Sequence, residues 1–198
     1  MAARNRKRTT VMVASTVYGF QEPLEQICVA LKTYGYDVWN SHLGTIPVHP
    51  GRSNLQNCVD AAKKCDAFVG IIRPFYGSGI IGKRSITHEE LVTAIHQRKP
   101  RWFLAHRDVV FAKQLLRQYM YDKQGKRKRF QFRKTAVMDD LRVIDMYDDA
   151  IQTTVKPAAR VGHWVQEFFR LEEALRYIDA QFQDIGQIRQ IISKKVTP

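Results

Sequence analysis

Between Thr9 and Met120 a short apolar run and a stretch with apolar side chains at every third or fourth position alternate four times, with brief connections. Few folds accept that order, because parallel strands need a crossover and a helix is the usual one. Thr9 to Ala14 is β-branched and apolar and closes on Ser15 and Thr16, which reads as a buried strand. From Glu22 to Tyr34 the residues Leu24, Ile27, Cys28, Leu31 and Tyr34 repeat at helical spacing, and Gly35 marks the stop. Tyr36 to Trp39 is a second strand, and Ser41 to Ser53, with two prolines and two glycines, is a long loop. Asn54 suits the cap of a helix from Leu55 to Lys64. Ala67 to Ile72 has the unbroken apolar character of a strand buried on both faces, expected at the sheet centre. The turn-rich segment Arg73 to Arg84 leads to Ser85, a helix start for Ile86 to Gln97, which Lys99-Pro100 ends. Trp102 to Ala105 is the fourth strand and Val109 to Met120 the fourth helix.

This pattern predicts an open, doubly wound α/β domain with a mainly parallel five-stranded sheet. Ligands of such sheets bind outside the carboxyl ends of the strands, where the strand order reverses, so the loops after Ser15, Asn40 and Arg73 are the ones expected to carry a site. The fifth strand is expected at Leu141 to Met146. A basic insertion, 121–135, is expected as a hairpin: Gln124-Gly125 suits the turn, and Arg129, Phe130, Gln131, Phe132 and Arg133 alternate as a strand with one apolar face. A long amphipathic helix from Gly162 to Ala180 carries Trp164, Val165, Phe168, Phe169, Leu171, Leu175 and Ile178. The chain therefore divides into a basic tail (1–8), an α/β domain (9–150) and a C-terminal helical extension (151–198).

The 32 lysines and arginines against 19 acids leave a net charge of +13, which favours anionic partners. Lys126, Arg127, Lys128 and Arg129 form the centre of a basic patch that can meet nucleic acid, with Phe130 or Phe132 stacking on a base, or an acidic protein partner. The alternative is a solvated hairpin whose phenylalanines face the core. No window is apolar enough for a membrane-spanning helix, and three cysteines without metal-ligand spacing read as reduced thiols, so a cytoplasmic protein without a metal is expected. Neither a Gly-x-Gly-x-x-Gly after the first strand nor a Walker A motif is present.

Three separated motifs carry a resemblance. Val11 to Thr16 follows a basic N-terminus, Cys65 to Ile72 is followed by Tyr76-Gly77, and Ser85 to Ala94 precedes Lys99-Pro100. Together they resemble a bacterial family of unknown-function domains that looks like a relative of TIR domains and nucleoside 2-deoxyribosyltransferases. That family recurs beside anti-phage defence genes and at the head of large STAND ATPases. The resemblance implies a TIR-like, flavodoxin-like fold and a nucleotide or NAD as ligand or substrate, with no further cofactor required. The order Thr87, Glu90, Ala94, Lys99, Pro100 is similar to that around the nucleophilic glutamate of the deoxyribosyltransferases, which implies Glu90 as the residue acting on the ribose. The same enzymes carry an aspartate after the third strand, where this chain has Arg73, Pro74, Phe75 and Tyr76.

Breaking an N-glycosidic bond builds positive charge on the ribose, and a carboxylate beside the anomeric carbon stabilises or attacks it. Without the resemblance, the plainer reading of Glu90 is a solvated helix residue favoured by the N-terminal dipole. Ser15, Thr16, Tyr18, Tyr76, Gly77, Ser85 and Thr87 are the candidate substrate-binding residues. Hydroxyls and backbone N–H groups after a strand can hold a phosphate or ribose, and Tyr76 can stack on a base. Ser15 and Thr16 also read as a polar turn capping the next helix, Gly77 as a loop residue needing positive φ, and Tyr76 as packing. Two other functions suit the same residues: a non-enzymatic assembly module binding a protein partner or its own copies, and a nucleic-acid binder.

Overall fold

The computed structural model describes residues 8–77, 79 and 84–194. The basic tail, apart from Arg8, and residues 78 and 80–83 of the turn-rich segment lie outside the described residues.

Four strands and four helices alternate as expected. Strand β1 (Thr10–Ser15) leads to helix α1 (Gln21–Thr33) and strand β2 (Asp37–Trp39); α2 (Asn54–Lys64) connects to β3 (Ala67–Ile72), and α3 (Ile86–His96) to β4 (Arg101–His106), followed by α4 (Arg107–Met120). All neighbouring strands pair in parallel, in the order β2-β1-β3-β4-β5, which puts β3 at the centre. The order reverses between β1 and β3, so their carboxyl ends form the edge at which sheets of this kind bind ligands. Ser53 rather than Asn54 caps α2, its hydroxyl accepting from the Gln56 N–H while the Gln56 side chain accepts from the Ser53 N–H. Ser85 caps α3 by accepting from the His88 N–H.

The second half of the chain departs from expectation. Leu141 to Met146 is not the fifth strand but lies largely in helix α5 (Arg142–Ala150), which buries Val143, Ile144, Met146, Tyr147 and Ala150. Those positions lie on one helical face, and a short apolar run reads the same in either conformation. The Asp140 carboxylate accepts from the Arg142 N–H and starts the turn. The fifth strand is β5 (Val165–Phe168), paired with β4. It occupies the front of the stretch expected as one long helix, so that only α6 (Leu171–Phe182) is helical there, followed by α7 (Ile185–Lys194). Phe168 is buried in the core cluster behind β1, and Glu173 accepts from the backbone N–H groups of Phe169 and Arg170, fixing the helix start beyond them.

The basic insertion turns at Gln124-Gly125, with Gly125 N donating to Asp122 O, but forms no hairpin strand at Arg129 to Arg133. β5 takes the free edge of β4, and the insertion runs outside α4 with no strand to pair against. A single antiparallel bridge joins Tyr121 and Arg127. Phe130 stacks on Tyr119 of α4, centroids 5.9 Å apart.

Two apolar cores sandwich the sheet. One joins β1, β3 and β4 to α2, α3 and α5; the other joins the opposite face to α1, α6 and α7. Cys28, Cys58 and Cys65 are buried free thiols. Among the described residues no helix is long and apolar enough to cross a membrane.

Candidate functional site

At the switch point the carboxyl ends of β1 and β3 are tied together by Arg73, the first residue after β3. Its guanidinium is buried beneath the loop that follows β1, donating to the carbonyls of Tyr18 (2.7 Å), Thr16 (3.3 Å) and Gly19 (3.5 Å). It also lies 4.4 Å from the Phe20 ring centroid and 5.4 Å from that of Phe75. Burial lowers its pKa to about 10, which leaves it cationic at neutral pH. The arginine thus organises the β1–α1 loop.

Around that anchor the structure brings together several of the expected residues. Thr16 is buried, and its hydroxyl has no hydrogen-bond partner among the described residues. Buried hydroxyls are rarely left unmatched. Gly77 holds φ +87° against it: a Cβ there would sit 2.7 Å from Thr16 Cγ2. Tyr18 is 75% exposed and meets the Phe75 ring edge-on at 5.8 Å, forming an aromatic rim. Ser15 is turned inward, its hydroxyl donating to the Thr16 carbonyl. On the β2 side Asn40 donates to the Val13 carbonyl and accepts from the Leu43 N–H, which fastens the long loop to the sheet.

Tyr76 does not line this crevice. It is 1% exposed, with its hydroxyl 2.7 Å from His88 Nδ1 and accepting from the Ser85 N–H at 3.3 Å. Arg142 covers the ring at 4.8 Å, and Asp139 accepts from the Tyr76 N–H. His88 Nε2 in turn lies 2.9 Å from Asp149 Oδ2. A residue expected to stack on a base is instead the inner end of a Tyr76–His88–Asp149 array that locks α3 to α5. Ser85 is equally buried, as the α3 cap, and Thr87 is half-buried on the first turn.

Glu90 lies one turn into α3, below the carboxyl edge, and is 3% exposed. The solvated reading is therefore excluded; its neighbour Glu89 is the more open residue, paired with Arg84 at 3.5 Å. The carboxyl of Glu90 shares a hydrogen bond with the Cys58 thiol of α2, and burial raises its pKa from 4.5 to about 7. The thiol, pushed up to about 12 by burial and by the carboxylate, stays protonated and is the donor. A carboxyl half-ionised near neutrality is suited to stabilising a developing cation in a dry environment.

The basic patch is partly neutralised. Arg127 pairs with Asp145, and Lys128 Nζ donates to the Gln118 carbonyl at 2.9 Å, while Lys126 and Arg129 remain exposed. Sequence reasoning missed the pairing of Cys58 with Glu90 and of His88 with Asp149. Nothing in their spacing marked them, since Asp149 lies 61 residues from His88.

A family model described as Domain of unknown function (DUF4062) matches residues 10–161, from β1 through the connection that precedes β5. No curated protein and no solved structure matches the chain.

Proposed function

The chain belongs to the DUF4062 family, and from that premise we propose that it is a TIR-like protein that binds NAD or a nucleotide and cleaves its N-glycosidic bond. The observation that carries this reading is Glu90, a carboxyl enclosed beneath the switch-point edge with its pKa raised to about 7. As the base departs, charge grows on the ribose, and the ionised Glu90 faces it in surroundings where an electrostatic interaction is far stronger than in water. Nicotinamide leaves as a neutral molecule, so cleavage of NAD needs no second acid, in keeping with Arg73 in place of the aspartate. Thr16 and the Gly77 backbone hold the sugar-phosphate, and Tyr18 with Phe75 forms the aromatic rim. The protein acts in the cytoplasm as a stress or anti-phage effector.

The test is mass spectrometry of small molecules released from NAD, nucleosides and deoxynucleotides by the wild type and by Glu90→Gln. Nicotinamide or free base from the wild type alone is expected; no Glu90-dependent product from any of them refutes the reading. A second reading, a non-enzymatic assembly module, is favoured by the exposed basic insertion with its stacked Tyr119 and Phe130. It predicts a partner or self-association that Lys126→Glu with Arg129→Glu abolishes and Glu90→Gln leaves intact.

A further inference from the structure

At the opposite, amino edge of the sheet a cavity of about 880 Å³ opens between the end of α3 and the connection from α5 to β5. That volume is in the range of small-molecule sites. Val92, Ile95, Val155 and Val161 give it apolar walls, and Arg84, Arg98, Lys99 and Arg101 put four cations around it against the single carboxylate of Asp149. Asp149 is already engaged by His88 and Arg84.

Two residues on its rim stand out. Among the described residues, Arg98 (φ 49°) and Gln152 (φ 55°) are the non-glycine positions with positive φ, and both line this cavity. Each follows a helix at the point where a left-handed residue closes the last turn and glycine is usual. Gln152 has a structural reason: its side chain donates to the Val161 carbonyl at 2.7 Å and accepts from the Val161 N–H. Arg98 has none of that kind. Its backbone closes the α3 cap, with Arg98 N donating to Ile95 O and Lys99 N to Ala94 O, as glycine would do at lower cost, and its exposed guanidinium makes no hydrogen bond or ion pair among the described residues. Arg101 adds a buried Nε without a partner among the described residues, beside its bonds to the Lys99 and Val161 carbonyls.

We infer that this cavity is a second binding site, separate from Glu90, for a phosphorylated small molecule of nucleotide size, with Arg98 as its phosphate contact and the valine-lined wall taking the apolar body. The reading does not rest on the proposed glycosidase activity. A guanidinium without a partner among the described residues is open to a ligand, and it matches phosphate in geometry and charge.

Titration calorimetry on the full chain tests it with ADP, adenosine, inorganic phosphate and polyglutamate as probes. ADP should bind the wild type and Glu90→Gln alike, with adenosine at least about tenfold weaker. Arg98→Gly should lose about tenfold in ADP affinity while its Tm holds or rises, because glycine relieves the positive φ. Equal ADP affinity in wild type and Arg98→Gly overturns the proposal, as does phosphate or polyglutamate binding as tightly as ADP, or no ADP binding at all. Loss of ADP binding in Glu90→Gln but not in Arg98→Gly moves the nucleotide to the carboxyl edge, which overturns this site and leaves the glycosidase reading standing.

Discussion

The Tyr76 hydroxyl and His88 Nδ1 lie 2.7 Å apart in the interior, and the ring's other nitrogen reaches Asp149 at 2.9 Å. The only arrangement satisfying every atom has Nε2 protonated toward the carboxylate, Nδ1 accepting from Tyr76, and the Tyr76 oxygen accepting from Ser85 N–H. Tyr76→Phe leaves both the Ser85 N–H and Nδ1 unmatched and should cost about 1–3 kcal/mol. His88→Ala also opens a cavity and should cost about 2–4 kcal/mol. Since one array is broken twice, the double variant should fall short of the sum by about 1 kcal/mol in urea unfolding. Additive losses would show that the two residues stabilise the protein independently.

Glu90 gives stability an opposite pH dependence to that of a salt-bridged acid. Its folded pKa, about 7, lies above the ordinary 4.5, so the folded state holds a proton that the unfolded chain has released throughout the interval between them. Stability therefore falls as pH rises from about 4.5 to 7, by roughly 3 kcal/mol at most from this group. Glu90→Gln removes that slope. Its unfolding free energy, compared with the wild type at pH 5, 6, 7 and 8, should show an advantage that grows with pH and levels off above 7. A constant difference contradicts a raised Glu90 pKa.

Gly77 and Thr16 are coupled by contact. Gly77→Ala places a Cβ 2.7 Å from Thr16 Cγ2 at a φ of +87°, combining a clash with backbone strain, and should cost about 2 kcal/mol. Thr16→Ser removes the methyl that clashes but not the strain. The double variant should recover about half of the loss, measured by thermal unfolding, whereas Gly77→Ala in a Thr16→Val background should recover none.

Where the chain was legible, one element settled the next. Val11 to Ala14, Ala67 to Ile72 and the α3 cap at Ser85 carry apolar runs and polar ends that suit a buried strand or a capped helix, and the parallel, doubly wound sheet with Ala67 to Ile72 at its centre followed from them. Leu141 to Met146 was not legible, because four apolar residues broken by Arg142 and Asp145 fit a strand and a helix equally until their neighbours are known. Val165 to Phe168 was hidden for the opposite reason: its apolar residues continue at helical spacing into α6, and only pairing with β4 separates them. At the site, Glu90 could be picked out but not its enclosure, which depends on Cys58 from a different helix. The burial of Tyr76 depends likewise on Arg142 and Asp139, both from beyond the basic insertion.

Arg73 tests whether the carboxyl edge is organised by a charge or by a shape. Its three carbonyl acceptors, Thr16, Tyr18 and Gly19, belong to one loop, and its planar face lies against Phe20 and Phe75. Removing it in Arg73→Ala strands buried carbonyls and empties the space between the rings, a loss of about 2–4 kcal/mol. If the positive charge were what mattered, Arg73→Lys would restore most of that stability. The geometry predicts otherwise, because an ammonium is a point donor that cannot span three carbonyls along a loop or stack flat on two rings. Arg73→Lys should therefore recover less than half of the loss in urea unfolding. The β1–α1 loop should also become more open to proteolysis near Tyr18, although the lysine carries the same charge.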